Sequence, residues 1–399
     1  MTDHATQSAT SRSEPATADA ESTDPQSLAH AHTDPVTRRQ LLALDAARRG
    51  DRELSDRLFA SPVEGEPDAE WRVEWATGPS RLAHSLRSED VEFAAATTVI
   101  DGRPHAVVGG PDELVRLWDL ATGEPAGESL TGHEDDVLAV ATTVVDGRPH
   151  AVTGDMDGAV RVWDLATGEP AGEPLTGHDG EVNGVATALV DGRPHAVTVG
   201  EDETARVWDL TTGRQVGEPF TDHSDHVRLV ATTVIDERPH AVTGSEKWGV
   251  LVWDLSTGET VRELITDTED PISAVATAVI DGRPHAITAG APDEHPGDDD
   301  AVSIWDLTEG QEVGTLTGDT DRIRTTTTMV IDGRPHLITG GRRGRSYPTL
   351  CGTVRVWDLT TFQQAGRELL FPMPVHTVTA ANGRLVVGFG DEAAALRHL

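Results

Sequence analysis

The pentapeptide Asp-Gly-Arg-Pro-His begins at Asp101, Asp146, Asp191, Asp281 and Asp332, and a variant with Glu in second place begins at Asp236. A Trp-Asp-Leu triplet follows each copy, at Trp118, Trp163, Trp208, Trp253, Trp305 and Trp357, so the triplets stand 45, 45, 45, 52 and 52 residues apart. Self-similarity at this period means one supersecondary unit copied many times, none of which can bury its own faces alone.

The unit that starts at Val137 shows what is copied. Val137 to Val145 is apolar and rich in β-branched residues, as strands prefer. Asp146-Gly-Arg-Pro supplies turn residues, and His150 to Thr153 reads as a second strand. Gly154-Asp-Met-Asp-Gly is a further turn, and Ala159 to Leu165 a third strand. Ala171 to Leu175 is short, polar and bounded by proline, which suits an outer edge that must not recruit other chains. The innermost strand is apolar on both faces, as expected of a sheet held between two others in a closed ring.

The six triplets in register resemble those of the WD40-repeat β-propeller family, and the likeness covers roughly residues 76–399. It implies an all-β fold of four-stranded antiparallel blades. Seven blades are expected, not six. Leu385 to Leu399 aligns without gaps to Ala151 to Leu165, so the chain stops after a third strand. The stretch from Ala76 through Ser80 to Ser88 is similar to the segment after each triplet and is expected to supply the missing strand from the N-terminal side. Trp71 to Trp75 then has no slot and is expected outside the ring.

Residues 1–34 contain no Val, Ile, Phe, Trp or Tyr and are expected to be a disordered tail. Residues 35–60 read as a short helical segment. Asp34 with Pro35 opens one helix, Gly50 ends it, and Asp51 opens a second that carries Leu54, Leu58 and Phe59. Two uses are open: docking on the ring, or a free arm that binds a partner.

Acidic residues outnumber basic ones 68 to 32, for a formal net charge of −36. That balance argues against binding a phosphate backbone or an anionic lipid surface. It suits protein partners, basic ones among them. One cysteine, Cys351, leaves no intrachain disulfide, and no apolar run is long enough to span a membrane, so a cytoplasmic monomeric ring is expected.

Repeated histidines raise the question of chemistry. The family resemblance implies a buried hydrogen-bonded tetrad of loop His, strand Thr, turn Asp and triplet Trp. His133, Thr153, Asp157 and Trp163 match it, as do His178, Thr198, Asp202 and Trp208. A Thr–His–Asp set also evokes a hydrolase triad, but one active site does not need copies at the repeat period. Blade 4 has His223, Thr243 and Trp253 but Lys247 at the Asp position; Thr268 and Asp319 stand at the His position of blades 5 and 6. The turn histidines His105, His150, His195, His240, His285 and His336 fall one per blade, too dispersed to share a metal, and no cofactor is expected. The loop Asp293 to Asp300 reads as a solvated acidic loop, with a hard cation as its alternative.

Regularity fails between the second and third strands of blades 5 and 6, in loops that resemble the family's top-face binding loops. Blade 6 carries Arg342, Arg343, Arg345 and Tyr347 there, blade 4 has Lys247-Trp248 in the same turn, and Arg322 and Arg324 lie nearby. Trp, Tyr and Arg are the residues enriched where partners bind. This sector is the expected partner site of a non-catalytic interaction scaffold. Two other readings stand beside it: a regulatory or sensor subunit acting on a separate effector, and a propeller enzyme with its site at the central channel.

Overall fold

In the computed structural model, the residues described are 35–60, 71–76, 94–245, 249–265, 272–290, 302–316, 322–343, 351–381, 383–390 and 392–398. They form seven antiparallel sheets arranged as a ring. Blade 2 shows the common plan: Val137–Val145 innermost, then Arg148–Asp155, Val160–Asp164 and Glu169–Pro170 outermost.

The first hairpin turns through Asp146-Gly147 with φ of 49° and 75°, and Val145 pairs with Arg148 across it. Left-handed conformation at both central residues defines the turn that matches strand twist, which is why Asp-Gly recurs in blade after blade. The second strand begins at Arg148, earlier than His150, and so contains Pro149. Proline is tolerated there because it stands at the start of the strand, where its carbonyl still accepts Leu165 N–H from the end of the third strand at 3.0 Å. The outer strand is broken in two. After Glu169–Pro170, Gly172 and Pro174 interrupt it, and a bridge of Leu175 to Val160 resumes the pairing.

The Asp of each triplet explains its own recurrence. Asp164 Oδ1 accepts the N–H of Ala166 at 2.9 Å, closing the next turn, while Oδ2 takes Arg148 Nη2 at 2.7 Å. Asp306 does the same with Thr308 and Arg283 in blade 5. Burial pushes the Asp306 carboxyl up, but its bonds from Thr308 and Arg283 prevail and hold it well below the usual carboxylate range.

Adjacent blades are stitched at the inner strands. Thr142 Oγ1 donates to the carbonyl of Thr97 at 2.7 Å, Thr187 to Thr142 at 3.1 Å, and Thr232 to Thr187 at 2.7 Å. Thr277 continues to Thr232 at 2.8 Å and Thr328 to Thr277 at 3.0 Å.

The ring is closed by an N-terminal strand, and its position corrects the sequence reading. Strand β1, Trp71–Ala76, pairs antiparallel with Glu392–His398 and completes blade 7. Ser80 to Ser88 lies outside the described residues, and the outer slot it was expected to fill is taken. The Trp-Arg-Val-Glu alternation is the reason. Trp71 and Val73 are buried with Phe371 and Leu396, while Glu74 pairs outward with Arg384 at 2.6 Å.

Helices α1 (Pro35–Arg48) and α2 (Arg52–Ala60) precede this strand. Asp51 Oδ1 accepts Leu54 N–H at 3.0 Å and caps α2, and Gly50 ends α1 with φ of 77°. Helix α1 docks on blades 6 and 7. Ala43, Leu44 and Ala47 pack with Trp71, Val73, Leu369 and Phe371, and Arg48 Nε donates to buried Glu392 at 2.6 Å. Residues 1–34 lie outside the described residues.

Candidate functional site

In blade 3 the tetrad residues meet as a chain of hydrogen bonds. Trp208 Nε1–H donates to Thr198 Oγ1 at 2.8 Å, that hydroxyl lies 2.7 Å from His178 Nε2, and His178 Nδ1 lies 2.9 Å from Asp202 Oδ1. Burial raises the Asp202 carboxyl, but bonds from His178 and Thr204 outweigh it and hold the group ionised far into acid.

Blade 2 departs from expectation in one member. Trp163, Thr153 and His133 form the same chain, at 2.8 and 2.6 Å, but the carboxylate on His133 Nδ1 is Asp155 at 2.6 Å, not Asp157. The cause is local. Asp155 ends the second strand, buried, and its other oxygen fixes the turn by accepting Ala159 N–H at 2.7 Å; Asp157 sits exposed at the tip. Blade 3 has Gly200 at the strand-end position, so the carboxylate must come from two residues later.

These sets have the connectivity of a hydrolase triad without its accessibility. Thr153 and Thr198 are fully buried, and each hydroxyl already accepts an indole N–H. Both hydroxyls are shut off from solvent, and their bonds tie strands of the same blade together. The Trp–Thr half persists in blades 5 and 6, from Trp305 to Thr288 at 3.1 Å and Trp357 to Thr339 at 3.2 Å.

Blade 4 is incompletely braced. His223 Nε2 lies 2.7 Å from Thr243 Oγ1, but His223 Nδ1 is buried with no hydrogen-bond partner among the described residues. Trp253 stacks on Phe220 at 4.6 Å instead, and its Nε1 likewise has no partner among the described residues. Burial therefore depresses the His223 pKa to about 4, against a smaller opposing pull from Asp222, and the ring is neutral at pH 7.

Of the proposed partner-binding residues, Lys247, Trp248, Arg345 and Tyr347 lie outside the described residues, as do Thr268, Asp319 and the acidic loop 293–300. Arg343 is half-buried and ion-paired. It donates to Glu368 at 2.9 Å, beside buried Arg355, which reaches the same carboxylate at 3.1 Å. Burial pushes the Glu368 carboxyl up, and the two arginines overcome this and lower it. Glu368 was not singled out in the sequence because it lies 25 residues from Arg343. Arg324 bridges to blade 7, with Nη1 3.0 Å from His376 Nδ1. Arg322 is exposed and stands directly across the ladder from Arg342, so two guanidiniums share the top edge of blade 6.

The opposite sign gathers on the top of blades 1 and 2. Asp136 has its carboxyl pushed up by partial burial and then by Asp135, Glu113 and Asp112. Arg116 holds Asp112, and the remaining acids form a like-charged cluster. Among the described residues, no group of three or more His, Cys, Asp or Glu could hold a metal, and no helix is long and apolar enough to cross a membrane.

One residue class was missed. Val99, Val144, Leu189, Val234, Val279 and Val330 are 44–68% exposed on the inner strands, although the sequence suggested burial on both faces. The signal was present in the repeat as an aliphatic residue two places before each turn Asp.

Comparison with known proteins agrees with this geometry. Residues 125–164 and 168–209 match the WD40 family, described as WD domain, G-beta repeat. No curated protein is matched by the chain. Each matched stretch runs from the outer strand of one blade to the third strand of the next, the same offset that makes β1 complete the last blade. Two successive repeats of the chain thus match the WD40 family, and the described residues form a seven-bladed β-propeller.

Proposed function

We propose that this propeller is a non-catalytic scaffold that docks protein partners on its top face. WD40 propellers generally bind protein partners. The observation that carries the reading here is the division of charge on that face: acids crowded around Asp136 over blades 1 and 2, and Arg322 beside Arg342 on blade 6. Complementary charge steers association and selects partners more than it adds affinity. A partner presenting both signs would be oriented by this face, and salt would weaken the complex. Lys247, Trp248, Arg345 and Tyr347 belong to the same proposed sector by their place in the blade 4 and 6 loops.

The test is affinity capture from native lysate with three baits: wild type, Arg322→Glu with Arg342→Glu, and Trp248→Ala with Tyr347→Ala. The captured set should change with either variant and shrink at high salt. Identical capture by all three would remove the top-face sector. Turnover of simple esters, phosphates or sugars by the purified protein would overturn the non-catalytic reading.

A further inference from the structure

The six exposed aliphatic residues are one structure, not six accidents. Each lies two positions after an inner-strand threonine, and those threonines link blade to blade, so Val99, Val144, Leu189, Val234, Val279 and Val330 form a collar around one mouth of the channel. Between blades 4 and 7 the collar walls a cavity of about 700 Å³, with Met329 and Ala380 contributing to its lining. Single exposed apolar side chains need no explanation, but a contiguous set does.

Charge surrounds this collar. Two residues beyond each aliphatic comes the first turn residue: Asp101, Asp146, Asp191, Asp236, Asp281 and Asp332, all exposed and held at φ of 49–50°. The arginine of the same turn does not neutralise it. Arg148, Arg238 and Arg283 instead reach the triplet aspartates Asp164, Asp254 and Asp306 on the third strands, at 2.7, 2.7 and 3.0 Å. Blade 4 adds Glu237. The mouth is therefore apolar at its centre and anionic at its rim.

The collar has one gap. In blade 6, Thr328 pairs with Leu337 and three further pairs follow before the turn; in blade 7 the corresponding Ala380 pairs with Leu385 and only one pair follows. That hairpin ends two residues short on each strand, so blade 7 has no collar position and leaves a notch.

We propose that this mouth, on the face opposite Arg322 and Arg342, is a second docking surface, and that its occupant is a protein segment with an aliphatic or aromatic anchor flanked by lysine or arginine. The anchor enters the collar, and the flanking cations meet the aspartate rim. Complementarity of shape and charge together selects this class: an apolar anchor alone leaves the carboxylates unanswered, and a purely basic segment leaves the collar exposed. The inference is independent of the top-face reading.

The probe is a synthetic peptide, Lys-Lys-Gly-Phe-Leu-Gly-Lys-Lys with a fluorescent label, titrated into the full chain by anisotropy. Saturable binding is expected, weakened at least tenfold by changing its Phe-Leu to Ala-Ala. A triple Val234→Ser, Val279→Ser, Val330→Ser variant should bind at least tenfold less. Asp236→Asn with Asp281→Asn and Asp332→Asn, which keeps a residue tolerant of the left-handed turn, should flatten the salt dependence. Circular dichroism verifies that both variants are folded, and Arg322→Glu with Arg342→Glu should bind as wild type. Absent saturation, or binding indifferent to the valine changes or to the peptide anchor, would overturn the proposal. So would self-association abolished by the serine variant, which would make the occupant a second copy of the chain.

Discussion

Thr97 Oγ1 donates to the carbonyl of Ala380, 3.2 Å away, and so joins the first blade to the last across 283 residues of sequence. It is the sixth in a series of equivalent hydroxyl bonds, each reaching back to the preceding blade. Ala380 has no hydroxyl to pass the series on to Thr328. Blade 7 is held to blade 6 differently, by Val378 N–H to Thr325 Oγ1 at 3.2 Å and by Arg324 against His376. Ala380→Thr should supply the seventh bond and stabilise the ring by about 0.5–1.5 kcal/mol, the usual net worth of an intramolecular hydrogen bond. Urea unfolding measures it, and an unchanged or lowered midpoint would show that the inner stitch does not limit stability.

Closure also depends on the outer edge. Trp71 is buried against blades 6 and 7 and contacts His398 edge-on at 5.2 Å. Trp71→Ala should cost about 3–5 kcal/mol, as for other large-to-small core changes. Calorimetry is the check, and a loss below about 1 kcal/mol would mean that the closing strand is held by its backbone ladder alone.

The two aspartates of the blade 2 turn should separate cleanly. Asp155→Asn leaves His133 Nδ1 and Ala159 N–H without their carboxylate and should destabilise by about 1–3 kcal/mol. Asp157→Asn changes an exposed tip and should stay within about 0.5 kcal/mol. Equal effects, measured by thermal denaturation, would show that the buried network contributes little.

His223 makes blade 4 sensitive to acid. Its folded pKa of about 4 lies below the ordinary histidine value, so the unfolded chain binds more protons between roughly pH 6.5 and 4. The stability that this neutral histidine confers is whole above that window and is lost as pH falls through it. Ser245 occupies the strand-end place that Asp155 holds in blade 2, pairing with Val227 as Asp155 pairs with Val137. Ser245→Asp should give His223 Nδ1 a carboxylate and raise its pKa above 4, and histidine NMR titration follows it directly. An unmoved pKa would place the new carboxylate away from the ring.

The fold was legible because its signals are local and repeated. Asp146-Gly147 dictates a two-residue hairpin wherever it recurs, and Trp163 with its downstream Asp marks the end of each third strand. What failed to show lay at the ends or in side-chain direction. Trp71 to Ala76 is a unique strand with no copy to align against, so only its alternation marked it, while Ser80 to Ser88 drew the assignment by likeness. The choice of Asp155 over Asp157 depends on which carboxylate ends the strand buried, a matter of one residue in register. Glu368 joins Arg343 and Arg355 through the fold, not through spacing. The collar was misread because apolar residues on both faces of a strand suggest burial, while the aliphatic residue nearest each hairpin turn stands exposed at the end of its strand.

The shortened hairpin of blade 7 gives an almost symmetric annulus a single index mark. Six equivalent segments by themselves would let an inserted guest settle in any of several azimuths, with the orientations close in free energy. A rim interrupted at Ala380 makes those settings unequal, so whatever enters there has one preferred heading relative to helix α1, which is fixed on the neighbouring wall.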